Sequence, residues 1–386
     1  MPIAKKVFFI SASFLIVILL LWGVYYFSFR VPEKQGSNSS KETTEEDAGF
    51  IPSLSTMKDA SKIVLVSDDR VLDPVLSAED TIVKYYLKEN GKTYQIGIDG
   101  KNRGNISDKE LLGIKDVFWS PDKTKVISKF SNPDGSSSFF LYNYRDGSSV
   151  PLKSNIDSIV WKSNDQIFYK YFNSSSGERS LNVSNPDGTG WNKVVDINLK
   201  DIVIAPIPQT GLVSFWDKPN AYEKTSFTSV SIIGENSKTL FQEKFGADYL
   251  WNRDGSKALL SHTDDTDKSK IRLAVINSQG GEYRSLEIPT LVAKCVWSVD
   301  NQTVFYALPG SVPDNSIMPN DYMAEKFTTA DTFWKVNTKT GEKARIVELD
   351  KISGRFDAIN LFLNADENKL FFVNRIDGKL YRIDLN

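Results

Sequence analysis

The sequence holds one cysteine, Cys295, and one histidine, His262, in 386 residues. A lone thiol excludes an intrachain disulfide framework and a thiolate zinc cluster. A lone imidazole excludes any site that needs two. No Gly-x-Ser-x-Gly elbow occurs, so a hydrolase triad lacks its nucleophile signature and has His262 as its sole base candidate. Ser55-Thr56-Met57-Lys58 and Lys339-Thr340-Gly341 match two penicillin-binding-protein motifs, but the third, Ser-Asp-Asn, is missing. Both are chance matches by this reading, and no catalytic residue is assigned. Charge of one sign is also scarce. The net charge is −2 with lysines and arginines spread throughout, which excludes a nucleic-acid footprint.

What is present divides at about residue 61. Val7 to Phe29 is almost unbroken apolar sequence, with Trp22, Tyr25 and Tyr26 near its end. At 1.5 Å per residue it spans roughly 33 Å, enough for a bilayer core, and aromatic rings favour the interface. The bulky Tyr-Tyr-Phe-Ser-Phe-Arg at its end is unlike a signal-peptide cleavage site. The reading is a tail over 1–6, a transmembrane helix over 7–29, and a stalk over 30–61 too polar to offset its ordering entropy. Lys5 and Lys6 abut the short N-terminal side, which places the large domain outside the cytoplasm.

Residues 62–386 repeat one unit of four β-rich segments separated by polar turns. Its plainest copy runs from Val117-Phe118-Trp119 through Lys125–Phe130 and Phe139–Tyr144 to Val150-Pro151-Leu152. Copies anchored at Leu76, Trp119, Trp161, Ile207, Trp251, Trp297 and Leu363 are spaced by 43, 42, 46, 44, 46 and 66 residues. That is the period of a four-stranded propeller blade, with the last step lengthened by an insertion over Pro309 to Asp331. The last unit has three strands, and Lys62 to Ser67 is an unclaimed strand that would complete it and remove an open edge. The expectation is an all-β, seven-bladed propeller. The tryptophans, fixed in the unit, read as packing between blades.

Trp119-Ser120-Pro121-Asp122-Lys123 and Trp251-Asn252-Arg253-Asp254-Gly255-Ser256-Lys257 carry the motif, and Trp297-Ser298-Val299-Asp300-Asn301 is a weaker copy. These units resemble the WD-like propeller repeat of TolB and its relatives. The resemblance implies a binding module outside the cytoplasm. It also implies six blades as the alternative count.

Acids recur at the start of six innermost strands: Asp73, Asp116, Asp157, Asp201, Asp248 and Asp357; the sixth blade has Lys294. Grouped at a channel mouth, they could attract a cation or a basic peptide, though an Asp in a turn also satisfies local backbone. The long second-to-third-strand loops fall on the same face. The insertion adds Asp314, Asn315, Asp321 and Tyr322 as candidate contacts, because binding residues favour loops on a rigid scaffold. Asp264, Asp265 and Asp267 read as a solvated acidic loop rather than a calcium site, since the run lacks the glycine and distal glutamate of an EF-hand. His262 is expected in solvated loop. No cofactor or metal is assigned. The functional expectation is a membrane-tethered module that binds a protein or peptide at the loop face, without catalysis; the alternative is an envelope enzyme working in the central pocket.

Overall fold

The computed structural model describes residues 62–385, so the expected tail, transmembrane helix and stalk lie outside the described residues. Among the described residues no helix is long and apolar enough to cross a membrane. Twenty-eight strands of the described residues form seven antiparallel sheets of four. Blades 1 to 6 are continuous in sequence, over 71–107, 114–151, 156–196, 202–241, 248–285 and 295–345. Blade 7 joins strands Ala358–Leu363, Lys369–Asn374 and Leu380–Asp384 to strand Ile63–Ser67 from the other end of the domain. That strand pairs antiparallel with the last, Ile63 opposite Ile383 and Leu65 opposite Tyr381, so it forms the outer strand of blade 7 and covers the edge of Leu380–Asp384. The blade count is seven, not six.

Each sheet is packed on both faces, and the sequence shows it. Second strands such as Gln166–Phe172, Lys257–Thr263 and Lys369–Asn374 bury neighbouring residues on both sides and so read as near-continuous apolar runs. The core is a series of clusters between blades. One joins Phe305 and Phe333 of blade 6 to Leu361 and Phe372 of blade 7.

The tryptophans do pack between blades, and their indoles bind them. Trp119 donates to Asp73 O at 2.9 Å, Trp161 to Phe118 O at 2.8 Å, and Trp297 to Leu250 O at 3.1 Å, each in the preceding blade. Trp251 instead donates to Ser214 Oγ at 2.8 Å, and that hydroxyl donates to Ala205 O at 2.8 Å. Blade 4 has no tryptophan at the end of its innermost strand, its Trp216 standing on the second, and strand register places Pro206, opposite Val213, where Trp119 faces Val126. The anchor expected at Ile207 is therefore one residue late. Proline keeps the extended backbone but has no indole N–H to send to blade 3.

His262 is also corrected. It lies within strand Lys257–Thr263, is 1% exposed, and bonds Thr263 O and Tyr283 Oη, both at 2.8 Å. The apolar run Ala258-Leu259-Leu260 simply continues one turn of the pleat further than the polar Thr-Asp-Asp suggested. Asp264 is likewise buried rather than solvated, bonded to Thr266 and Arg272.

Candidate binding face

The insertion over 309–331 leaves blade 6 and crosses the loop face as a strap. Its only helical turn among the described residues is Asn320–Met323. Asn320 Oδ1 accepts Ala221 N at 2.8 Å and its amide donates to Asn220 at 3.0 Å, both in the long loop of blade 4. Over blade 5, Met318 O accepts Thr263 Oγ1 at 2.6 Å and Met318 N donates to Lys268 O at 2.8 Å. Beneath it, Ile271, Leu291, Met318 and Tyr322 form a satellite core. Gly246 permits the close approach: with φ +55°, a Cβ there would lie 2.7 Å from Thr263 Oγ1 and 3.0 Å from Pro319 Cδ.

A buried charge cluster pins the strap to blades 6 and 7. Lys294, wholly buried, donates to Asp331 Oδ2 at 2.6 Å, Asp357 Oδ1 at 2.7 Å and Ala358 O at 3.1 Å. Tyr322 Oη donates to the same Asp357 oxygen at 2.6 Å. Arg375 donates to Asp357 Oδ2 at 3.0 Å, to Tyr322 O at 2.8 Å and to Phe327 O at 2.6 Å, with its guanidinium 3.9 Å from the Tyr322 ring centroid. Two cations face two carboxylates, with every charge hydrogen-bonded, the condition under which buried charges are tolerated. Burial opposes the charge on Asp357, yet Lys294, Tyr322 and Arg375 together hold its carboxyl below the usual range. Lys294, the exception in the row of acids, is thus the counter-charge for the acid of the next blade. The sequence flagged its position; its partner Asp331, and Arg375 on the other oxygen of Asp357, were missed, because nothing local in sequence marks them.

The other acids do not form an open, unpaired ring. Asp116 pairs with Lys129 at 3.2 Å, and Asp157 with the buried Lys170 at 2.7 Å. Asp73 sits at φ +46° in a bulge of the inner strand, where Leu72 faces Tyr86 and Val75 faces Lys84. There its Oδ2 accepts Val117 N at 2.6 Å, and burial pushes its carboxyl up to about 7. Asp248 accepts the Trp216 indole at 2.9 Å, and burial pushes it up to about 6. Asp201 and Asp321 line one cavity of about 650 Å³ between the strap and the blade 4 loop, with Lys200, Asn220, Met323 and Lys326. Asp321 bonds Lys326 Nζ at 2.7 Å and Ile317 N at 2.8 Å, while Asp314 and Asn315 stand exposed further along the strap. The structure therefore gathers Tyr322 with Asp357 and Asp201 with Asp321, and leaves Asp73, Asp116, Asp157 and Asp248 to separate local partners. No group of His, Cys, Asp and Glu able to hold a metal ion occurs among the described residues.

No protein family and no curated protein matches the chain. Solved structures do. An oligogalacturonate lyase in complex with manganese superposes with a TM-score of 0.61 at 12% identity, over 84% of this chain and 93% of that one. The β-propeller domain of the Trilobed protease from Pyrococcus furiosus, described as having an open velcro topology, gives 0.53 at 12%, over 82% and 95%. TolB from Acinetobacter baumannii gives 0.44 at 12%, over 70% and 61%. At such identities the likeness is one of fold alone: the protein is a β-propeller. It corrects one expectation. Absence of catalysis was inferred from a missing serine-hydrolase signature, yet the fold along most of this chain is one that a lyase uses, so that inference does not stand.

Proposed function

We propose that this chain is a membrane-tethered, extracytoplasmic propeller that binds a protein or peptide at its strapped face. The observation that carries the reading is the strap itself. Twenty-odd residues are held across blades 4 to 7 by a buried charge cluster, and they wall a cavity of about 650 Å³ whose lining mixes charged, amide and apolar groups. Long loops ordered on a rigid scaffold are where proteins place recognition. The tether and orientation rest on the apolar run 7–29 and on Lys5 and Lys6. Two measurements test this. Protease added outside intact cells should cut between residues 34 and 47; protection until the membrane is broken would invert the topology. A photo-crosslinker at Met323, on the cavity wall, should capture a partner that one at Ile233, 72% exposed in a turn between the third and fourth strands of blade 4, does not. Equal capture at both positions would remove the strapped face as the site.

A second reading, catalysis in the central pocket, is favoured by one observation. Burial pushes two inner-strand carboxyls, Asp73 and Asp248, up to about 7 and about 6, toward the range where a general acid or base works at neutral pH. Oligogalacturonate is the first substrate class to assay, by appearance of unsaturated ends. Turnover abolished by Asp73→Asn or Asp248→Asn in a folded protein would support it, and turnover indifferent to both would end it.

A further inference from the structure

The side of the ring away from the strap carries a second concavity, independent of the reading above. Between blades 1 and 2 lies a groove of about 430 Å³ walled by Tyr86, Phe130, Phe140, Tyr142, Tyr144 and Leu112. Its aromatic floor is organised. Trp119 stacks on Tyr144 at 5.7 Å and 11°, Tyr142 meets Tyr144 edge-on at 4.9 Å, and Phe130 meets Phe140 edge-on at 5.6 Å. Tyr86 and Tyr144 share a hydrogen bond of 2.6 Å between their hydroxyls. Leu112 is 71% exposed and Phe140 37%, so the apolar wall faces water.

The lining is also neutral. Its only charged side chains are Lys109 and Glu110, and Glu110 pairs with Lys92 at 3.4 Å. Burial raises the pKa of Tyr86 and Tyr144, which keeps both phenols protonated. Hydroxyls of Ser107, Ser128 and Ser149 supply the remaining polarity. The same place one blade further on is different. There Tyr169, Tyr171, Ser180 and Asn182 stand on the equivalent strands, the concavity is about 160 Å³, and Lys153, Lys193, Glu178 and Asp196 line it. Size and low charge therefore set the blade 1–2 groove apart from this one, where Tyr169, Tyr171 and Trp191 stand among four charged side chains.

We infer that the blade 1–2 groove is a small-molecule site for an uncharged planar ring bearing a hydroxyl. Its volume falls in the range of ligand pockets, and its walls are the aromatic surface with a few hydroxyls that such pockets use. A flat ring gains stacking against Phe140 and Tyr142. An anionic ligand would lose hydration there for the exposed, solvent-screened ammonium of Lys109 alone. The test is equilibrium dialysis of the full-length protein with β-naphthol as probe and β-naphthoate as its charged counterpart. Saturable one-to-one binding of β-naphthol is expected, with β-naphthoate at least tenfold weaker. Leu112→Glu, on an exposed side chain, and Phe140→Ser should each weaken β-naphthol at least fivefold, while Ile233→Ser, a solvent-exposed apolar residue elsewhere, should change nothing. The inference is overturned by absence of saturable binding, by equal binding of the two probes, or by binding that ignores Leu112→Glu in a protein with unchanged melting.

Discussion

Blades 4 to 7 and blades 1 to 3 share one repeat but solve the loop face differently. The first group lies under a strap fastened by a cluster from which water is excluded: Lys294, Asp331 and Asp357 have wholly buried side chains. The second group has no strap, and its corresponding ion pairs are half in solvent, with Asp116 48% and Asp157 45% exposed at the side chain. The comparison separates two meanings of an acid at the start of an inner strand. In solvent it contributes little and is screened. Under the strap it is a fixed charge whose partner cannot be removed without leaving it stranded.

The largest effect is expected at the seam where the two groups meet. Deleting residues 62–69 strips the outer strand from blade 7, exposes the edge of strand Leu380–Asp384, and removes Asp69, which bonds Arg103 and Tyr85 of blade 1. The melting temperature should fall by more than about 10 °C, or cooperative unfolding should vanish, with aggregation from the bare edge. An unchanged transition would mean that the ring does not need its closing strand.

Next comes a matched pair of lysines. Lys294→Met leaves Asp331 and Asp357 buried without their shared cation and should cost about 3–5 kcal/mol. Lys170→Met, equally buried at the lysine, leaves Asp157 in solvent and costs only the bonds to Asp157 and Lys200 O, about 1–2 kcal/mol. Denaturant melts of the two variants measure the difference directly; equal losses would erase the distinction between the sectors. Gly246→Ala is milder than Lys294→Met. It adds a Cβ under Pro319 at a left-handed φ, and should cost about 1–3 kcal/mol while raising protease cutting within 309–331. Destabilisation without increased cutting would show that the strap does not rest on that glycine.

The repeat was legible because it is written in local chemistry. Strand pairs of β-branched and aromatic residues, Asp-containing turns such as Ser120-Pro121-Asp122 and a tryptophan at a fixed place each specify a piece of a blade, and together they yield the count and the closing strand. The strap was legible as a length and a face, but not as a structure. Its fastening joins Lys294, Asp331, Asp357 and Arg375, positions up to 81 residues apart, and burial of a lysine is set by what folds over it. The acids at the strand starts were seen as a set and the structure divides them, since pairing with Lys129, Lys170, Trp216 or Val117 N depends on register and on neighbouring blades. The aromatic groove went unseen for a simpler reason. Phe130, Phe140 and Tyr142 have the alternation of any buried strand, and only the short outer strand Ser149–Pro151 and the open junction leave them facing water.

The smallest and most diagnostic prediction concerns two single carboxyls, Asp73 in the unstrapped sector and Asp357 in the clasp, which respond to pH with opposite sign. Asp73, in the unstrapped sector, has a folded pKa of about 7 against an ordinary 3.8. Between those values the folded protein holds a proton that the unfolded chain releases, so its contribution is fully present below about pH 4 and is lost as pH rises to about 7. Asp357, in the clasp, is held below the ordinary range, so its contribution is present above that range and is lost as pH falls. Asp73→Asn keeps the left-handed conformation within reach of the side chain, since Asn tolerates it, and keeps an acceptor for Val117 N. It removes the proton. Subtracting the variant's stability curve from the wild type's isolates Asp73 from Asp248, which shares its sign. The difference should slope downward with rising pH by at most about 1.4 kcal/mol per unit between pH 4 and 7, and be flat above. A flat difference throughout would mean that Asp73 titrates normally and that its bulge is solvated. A rising one would mean that a cation, Lys88 being the nearest in effect, governs it as Lys294 governs Asp357.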